Sequence, residues 1–358
     1  MASLKLLRGI GMKVKLKDLT IKELKDFVSS LGLEPYRARQ ISRWLYKKRV
    51  SDFSSMTDLS KEVRELLSER AGIDTLKLVK IEESKDGTRK YLFELEDGNR
   101  IESVFIPEKR WNTLCVSTQV GCPAGCKFCL TAKDGFTRNL TTSEIVDQYI
   151  QVQRDVGEER RISNVVFMGM GEPLLNFDNV KKAVEIMTNK DMLDLSTRKI
   201  TVSTVGIVPG IRRMARELNK VKLAVSLHAT TDEVRDFLVP LNRKYPISEI
   251  MKALRDYPAD NNRRVMIEYV MLKDINDSLE DAHRLAKLVK GVPVKVNLIP
   301  FNPYPGTPFE PTPREGIEEF QKVLWDYNIA AFIRDSRGQD ISAACGMLRT
   351  KEKTLAVK

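Results

Sequence analysis

Histidine and cysteine are both scarce, at two and five among 358 residues, and long apolar runs are missing. Five cysteines are too few for a disulfide framework in a chain of this length. No stretch of eighteen apolar residues offers a membrane span. The N-terminus MASLKLLRGIGMKVKLKDL is basic but lacks the apolar core and cleavage site of a secretory signal. These absences point to a soluble, cytoplasmic protein that makes no membrane contact. What remains, 42% hydrophobic and 30% charged residues, is ample for one large domain with a smaller appendage.

Charge is unevenly placed. The net charge is +11, and residues 1–50 hold 13 basic and four acidic side chains, so most of the excess sits in one seventh of the chain. Within it, LTIKELKDFVSSLG carries a capping pattern, Thr20 followed by Glu23, and Gly32 as a stop. YRARQISRWLYKKRV places Ala38, Ile41, Trp44 and Leu45 on one helix face and Arg39, Arg43 and Lys47 on another. Such a stripe suits a solvated face, but the charge concentrated around it favours a polyanion, because neutralised phosphates release counterions. The extension of residues 1–14 matches no pattern and is expected to be disordered.

The period changes to two over residues 76–107, where LKLVKIEE, RKYLFELED and NRIESVFIP alternate around turns at KDG and EDGN. They read as a small antiparallel meander. Glu102 shares a face of the last strand with Val104 and Ile106, a costly place for a carboxylate unless it is paired or functional.

Strand-like runs at 113–119, 162–169, 198–204, 221–228, 264–272 and 293–300 then alternate with helical patterns, the first opened by Thr141 and Glu144. Six such units predict an α/β fold, a partial (βα)6 barrel, with a doubly wound sheet as the alternative. The expected division is a basic helical accessory domain (1–75), the β meander (76–108), the barrel (109–335) and a C-terminal segment (336–358). Chemistry in such barrels sits at the C-terminal ends of the strands. Cys122, Cys126 and Cys129 follow the first, Gly171 and Glu172 the second; Ser203 and His228 end the third and fourth, and Asn302 follows the sixth.

GCPAGCKFC, residues 121–129, concentrates three cysteines in a C-x-x-x-C-x-x-C loop. Structural zinc wants four ligands, and the other candidates, His228, His283, Cys115 and Cys345, are distant in sequence. Three thiolates on a 4Fe-4S cluster leave one iron open to bind something else.

With aromatic Phe128 before the last cysteine and MGMGEP (168–173) after the second strand, this loop resembles the radical S-adenosylmethionine (SAM) superfamily. The likeness spans roughly residues 20–350: YRARQISRWLYKK, MTDLSK, CVSTQVGCPAGCKFC, GFTRNLT, MGMGEPLLN, STVGIVP, SLHA, NLIPFNPYPGTPF and DISAACGML are similar to the RlmN/Cfr family of RNA methyltransferases. Pro173 and NPYPGTPF fit the RlmN branch, which acts on carbon 2 of adenosine, better than the carbon-8 branch.

The resemblance implies one 4Fe-4S cluster on Cys122, Cys126 and Cys129, and SAM, two molecules per turnover, held by Gly171, Glu172, Ser203, Ser226, Leu227, His228 and Asn302. It implies 23S rRNA and tRNA as partners, an electron donor such as flavodoxin or ferredoxin, and a monomer with an N-terminal RNA-binding domain. Cys345 would accept a methyl group, Cys115 would later attack the Cys345 sulfur to form a disulfide, and Glu102 would take the carbon-2 proton. The chemistry is consistent with this machinery: adenine carbon 2 is electron-poor and has no lone pair, so simple displacement at the SAM methyl lacks a nucleophile, whereas a carbon radical can add. A carbon-8 methyltransferase and a non-catalytic metal-containing RNA-binding protein are the competing readings.

Overall fold

The computed structural model describes residues 13–260 and 263–349. Most of the extension expected to be disordered lies outside that range, as do the residues after Arg349. Val14, at its end, corrects the expectation: Val14–Lys15 (β1) pairs in parallel with Ala71–Gly72 (β2).

Between these strands lie three helices, Ile21–Ser30 (α1), Arg37–Ser42 (α2) and Lys61–Arg70 (α3). The Thr20–Glu23 capping box opens α1, satisfying amides that would otherwise lack partners. The second helix is not uniform, because after Ser42 the chain widens into a π-helical turn over Arg43–Lys48. Leu45 and Tyr46 stay buried through that turn while Arg39, Arg43 and Lys47 remain exposed.

The meander forms as expected: Leu76–Glu83 (β3), Arg89–Leu95 (β4) and Arg100–Pro107 (β5). The first barrel strand does not run to residue 119. It ends at Cys115 (β6, Asn112–Cys115), after which Gln119–Gly121 (β7) pairs with Phe136–Asn139 (β8) as a separate hairpin. The reason is local: beyond Val116 the amides of Ser117, Thr118 and Gln119 bond to the Gln148 side chain and the Met170 carbonyl instead of a neighbouring strand. Leu130–Lys133 (α4) lies inside that hairpin, and Thr142–Val156 (α5) follows it.

Five further strands alternate with helices: Ile162–Phe167 (β9), Ile200–Thr204 (β10), Lys222–Ser226 (β11), Val265–Met271 (β12) and Val294–Pro300 (β13). A short seventh parallel strand, Ala331–Ile333 (β14), adds to the six expected. One sheet holds ten strands in the order β14-β13-β12-β11-β10-β9-β6-β5-β4-β3, parallel from β14 to β6 and antiparallel beyond. Its parallel part never reverses order, as a doubly wound sheet must, so the fold is the partial barrel. The helices cover one face, where Phe167, Val202, Val225, Ile267 and Leu298 are buried, and the other face lines the barrel interior. Among the described residues no helix is long and apolar enough to cross a membrane.

A buried ionic network fixes the accessory helices to α5. Lys17 and Asp147 are both fully buried and paired; Lys17 also reaches Asp74 at 2.7 Å, and Arg154 grips Asp74 at 2.9 Å. Asp147 accepts further bonds from the amides of Thr75 and Leu76. Buried charges are tolerable only when satisfied this fully.

Candidate active site

All the parallel strands end on the same rim. Cys115 closes β6, Ser203 and Thr204 close β10, Ser226 closes β11, and Asn302 stands two residues beyond β13. Register puts Cys115 opposite Val166, Ser203 opposite Ala224 and Ser226 opposite Glu268, which faces Asn297. Directly paired residues share a sheet face, so Cys115, Ser203, Ser226, Glu268 and Asn297 look into the barrel.

The cysteine loop is set by two glycines in the left-handed region, Gly121 (φ 74°) and Gly125 (φ 73°). A Cβ on Gly121 would lie 1.8 Å from the Gly135 carbonyl oxygen, which accepts the Cys122 amide at 2.8 Å. Only glycine allows that approach. Cys126 is buried among Ala124, Leu238, Val239 and Phe301, with Cys122 and Cys129 beside it. Burial pushes the Cys122 thiol up to about 12, and the Cys129 charge adds to it. Cys126 is raised by burial and by both neighbouring sulfurs.

A thiol cluster this dry holds its protons unless cations replace them, so the donors fit a metal group. Three thiols are one short of the four donors a structural zinc would want, and a 4Fe-4S cluster on the same three would keep one iron open.

Around the rim, the residues matched to SAM binding differ in what they can still offer. Gly171 has φ 104° and packs where a Cβ would meet Gln119 at 2.6 Å. The Glu172 carboxylate is already engaged, accepting the Val205 amide at 2.8 Å and the Leu174 amide at 3.0 Å, while burial pushes it up to about 7. His228 does not end a strand. It follows β11 with φ 59°, a conformation non-glycine residues adopt at a cost of about 1–3 kcal/mol. Its Nδ1 accepts the Val270 amide at 3.0 Å, which places any neutral-ring proton on Nε2, and burial holds it down at about 3. Phe128 of the cysteine loop packs edge-on against that ring at 5.0 Å. Leu227 is buried, its amide bonded to the Glu268 carbonyl.

Cys115 and Cys345, 230 positions apart in sequence, come together, and both are free thiols. Burial lifts Cys115 to about 12 and the charge of Cys345 adds to it, with the Met168 amide opposing. Cys345 is open to solvent on one side yet closely surrounded, so burial raises it too. Its segment is pinned where the Leu130 amide donates to Gly346 at 2.8 Å, Thr131 to Leu348 at 2.7 Å and Asn302 to Cys345 at 3.4 Å. Glu102 holds the same segment, accepting the Arg349 amide at 2.9 Å. Antiparallel pairing of Cys115 with Val104 carries Glu102 just past the end of β6, on the same face. Burial raises the Glu102 carboxyl, and Lys90 at 3.3 Å pulls it back.

A cleft of about 460 Å³ opens here, lined among others by Glu102, Lys90, Lys133, Tyr304, Met347 and Arg349. The stripe of Arg39, Arg43 and Lys47 is exposed on the accessory helices and lines no part of it.

Glu268 and Arg235 are two of the buried charges that escaped the sequence reading. Glu268 interrupts the apolar run of β12, faces the barrel interior with Asn297 bound at 2.8 Å, and acts on Cys345. The rule that singled out Glu102 would have found it. Arg235, also buried, donates to the carbonyls of Leu227 at 2.9 Å and of Val205 and Ser226, tying together two strand ends beside Cys126. A lone arginine in a short helix gives no such signal.

Comparison with known proteins agrees with this geometry. Residues 14–73 match the ribosomal RNA large subunit methyltransferase N-terminal domain, and residues 116–286 match the radical SAM superfamily. The chain is 52% identical over 338 residues to a dual-specificity RNA methyltransferase RlmN of Geobacter sulfurreducens, covering 94% of this chain and 92% of that one. It is 52% identical to a probable RlmN of Aquifex aeolicus, covering 94% and 97%. A crystal structure of a radical SAM methyltransferase from Sphaerobacter thermophilus superposes with a TM-score of 0.91 at 45% identity, covering 94% of this chain and all of that one. With its thiol loop, barrel rim and accessory helices each matched over nearly the full length, the chain belongs to the RlmN family of radical SAM methyltransferases.

Proposed function

We propose that this methyltransferase modifies carbon 2 of adenosine in 23S rRNA, at the peptidyl transferase centre, and in tRNA, next to the anticodon, in the cytoplasm. The observation that carries the reading is the convergence of Cys115, Cys345 and Glu102 on one barrel rim beside the cysteine loop. A cluster on Cys122, Cys126 and Cys129, when bound with SAM and reduced by a flavodoxin or ferredoxin, supplies the radical chemistry that carbon 2 demands.

The chain's own side chains do the rest. Cys345 reaches the barrel interior and solvent together, as a thiol must that first accepts a methyl group from SAM and then joins an RNA base through that carbon. Two SAM molecules per turnover follow, one for each task. Cys115, deeper and protonated at rest, gains a role once the base is attached: as a thiolate it attacks the Cys345 sulfur, the carbon–sulfur bond breaks with its electron pair passing to the carbon, which takes up a proton to complete the methyl group, and a Cys115–Cys345 disulfide remains. Glu102 accepts the proton leaving carbon 2, its raised affinity suiting a base that works near neutral pH. Neutral His228, with the Nε2 proton fixed by the Val270 amide, serves as a hydrogen-bond donor on the SAM side of the rim.

Replacing Cys115 with Ala should stall the reaction after the carbon–carbon bond forms. The expected product is protein covalently joined to RNA through Cys345, a shifted band on a denaturing gel that ribonuclease collapses and that a Cys115→Ala, Cys345→Ala double variant does not form. Normal turnover of Cys115→Ala, or lost activity without an adduct, rejects the assignment. Nucleoside mass spectrometry of treated RNA separates 2-methyladenosine from the 8-methyl product.

A further inference from the structure

Glu102 has company that the reaction outlined above does not use. In β4, Lys90 places its ammonium 3.3 Å from Glu102 Oε1 and 3.1 Å from Glu82 Oε2; Glu82 in turn meets Lys80 at 3.1 Å. Exposure of these side chains rises in steps from 10% at Glu102 and 9% at Lys90 to 33% at Glu82 and 54% at Lys80. The chain of groups therefore runs from the floor of the cleft to water.

Its alignment is built into the sheet. Lys90 stands directly opposite Val104 on one side and Glu82 on the other, and Leu92 stands between Glu102 and Lys80. All of them share the face of Cys115 because β3 carries a bulge between Leu78 and Lys80, where the pairing shifts by one residue. Without it, Lys80 and Glu82 would turn to the opposite face, since a one-residue slip flips every side chain that follows. Bulges that re-aim side chains recur beside active sites.

We propose that Lys90 is a positioning residue of the active site which keeps Glu102 ionised before each turnover and, together with Glu82, conducts its proton out to solvent afterwards. The proposal rests on the role of Glu102 given above. The step balances. Glu102 gains the proton lost by carbon 2; the Lys90 ammonium gives one proton to the Glu82 carboxylate and receives the one on Glu102; Glu82 releases its proton to water. Lys90 and Glu102 end as they began. The second oxygen of Glu102 accepts the Arg349 amide, and the Arg349 side chain is engaged by Asp134.

The groups facing Glu102 are Lys90 from β4, Glu82 and Lys80 from β3, Lys133 and Asp134 beside the cysteine loop, and Arg349 from the C-terminal segment. Burial raises Glu102 and Lys90 is the largest opposing influence, so losing the ammonium raises the carboxyl further. The acid limb of the rate profile must then move to higher pH.

The test compares Lys90→Met, Lys90→Arg and Glu102→Gln in the cluster-loaded enzyme with an RNA substrate. RNA methylation is followed against pH, adduct is scored on denaturing gels, and methyl-Cys345, read by mass spectrometry, shows that a variant is folded and loaded. Lys90→Met should lose about tenfold or more at neutral pH, within what a positioned proton acceptor supplies. Its acid limb should move to higher pH, and protein–RNA adduct should accumulate. Lys90→Arg keeps the charge but does not pass on a proton, so it should return the acid limb to its parental position while turnover stays slow. A parental rate and pH profile in Lys90→Met overturns the proposal, as does a loss that is independent of pH and equal in Lys90→Arg. If Lys90→Met lacks methyl-Cys345, Glu82→Gln carries the test, with slowed turnover and adduct supporting the relay and a parental rate rejecting it. Stalled Glu102→Gln beside normal Lys90→Met removes only the relay, whereas normal Glu102→Gln removes the base and the relay together.

Discussion

Exchanging Arg39, Arg43 and Lys47 for Gln removes three exposed cations from the accessory helices without touching the cleft. Each phosphate contact contributes a slope of about 0.7 to 0.9 to the fall of log affinity with log salt. Three contacts would flatten the dependence by about 2 to 3. Arg39 must give up an exposed pair with Asp191 at 3.3 Å, a small exchange at such exposure, so the lower end of that range is expected. A fourfold rise in salt should then weaken the variant roughly 20-fold less than the parent. Fluorescence anisotropy with a labelled RNA hairpin, titrated between about 50 and 200 mM KCl, a range over which such contacts lose much of their affinity, measures both slopes. Equal slopes would return the stripe to an ordinary solvated helix face.

Two further substitutions test the rim. Gly121→Ala forces a Cβ against the Gly135 carbonyl at φ 74° and should displace Cys122, so that anaerobic reconstitution yields clearly less iron per chain; full iron content would show that the loop adapts. Glu172→Gln leaves one of two backbone amides, Val205 or Leu174, without its acceptor and should cost about 1–3 kcal/mol in chemical denaturation at neutral pH. Because the folded carboxyl sits at about 7, above its ordinary 4.5, wild-type stability relative to the Gln variant should rise as pH falls through that window; a pH-independent difference would refute the perturbed carboxyl.

The sequence by itself determined the parts whose cause is local. Capping at Thr20 and Thr141, the glycine turns of the meander, the β-then-α rhythm and the three-cysteine loop are each written within a few adjacent residues, and the structure contains all of them. Gathering Gly171, Ser203, His228 and Asn302 on one rim was legible as well, because parallel strands end on the same side once their sequence limits are known. The tertiary structure decided what depends on register and on burial. The first barrel strand stops at Cys115 because Gln148 and Met170, from elsewhere in the chain, capture the next amides. The bulge in β3 decides which face Lys80 and Glu82 take, and alternation alone cannot reveal a skipped residue. Glu268 and Arg235 matter because folding removes water from them and leaves a few fixed partners, and that change in solvation is invisible until distant segments close over the charges.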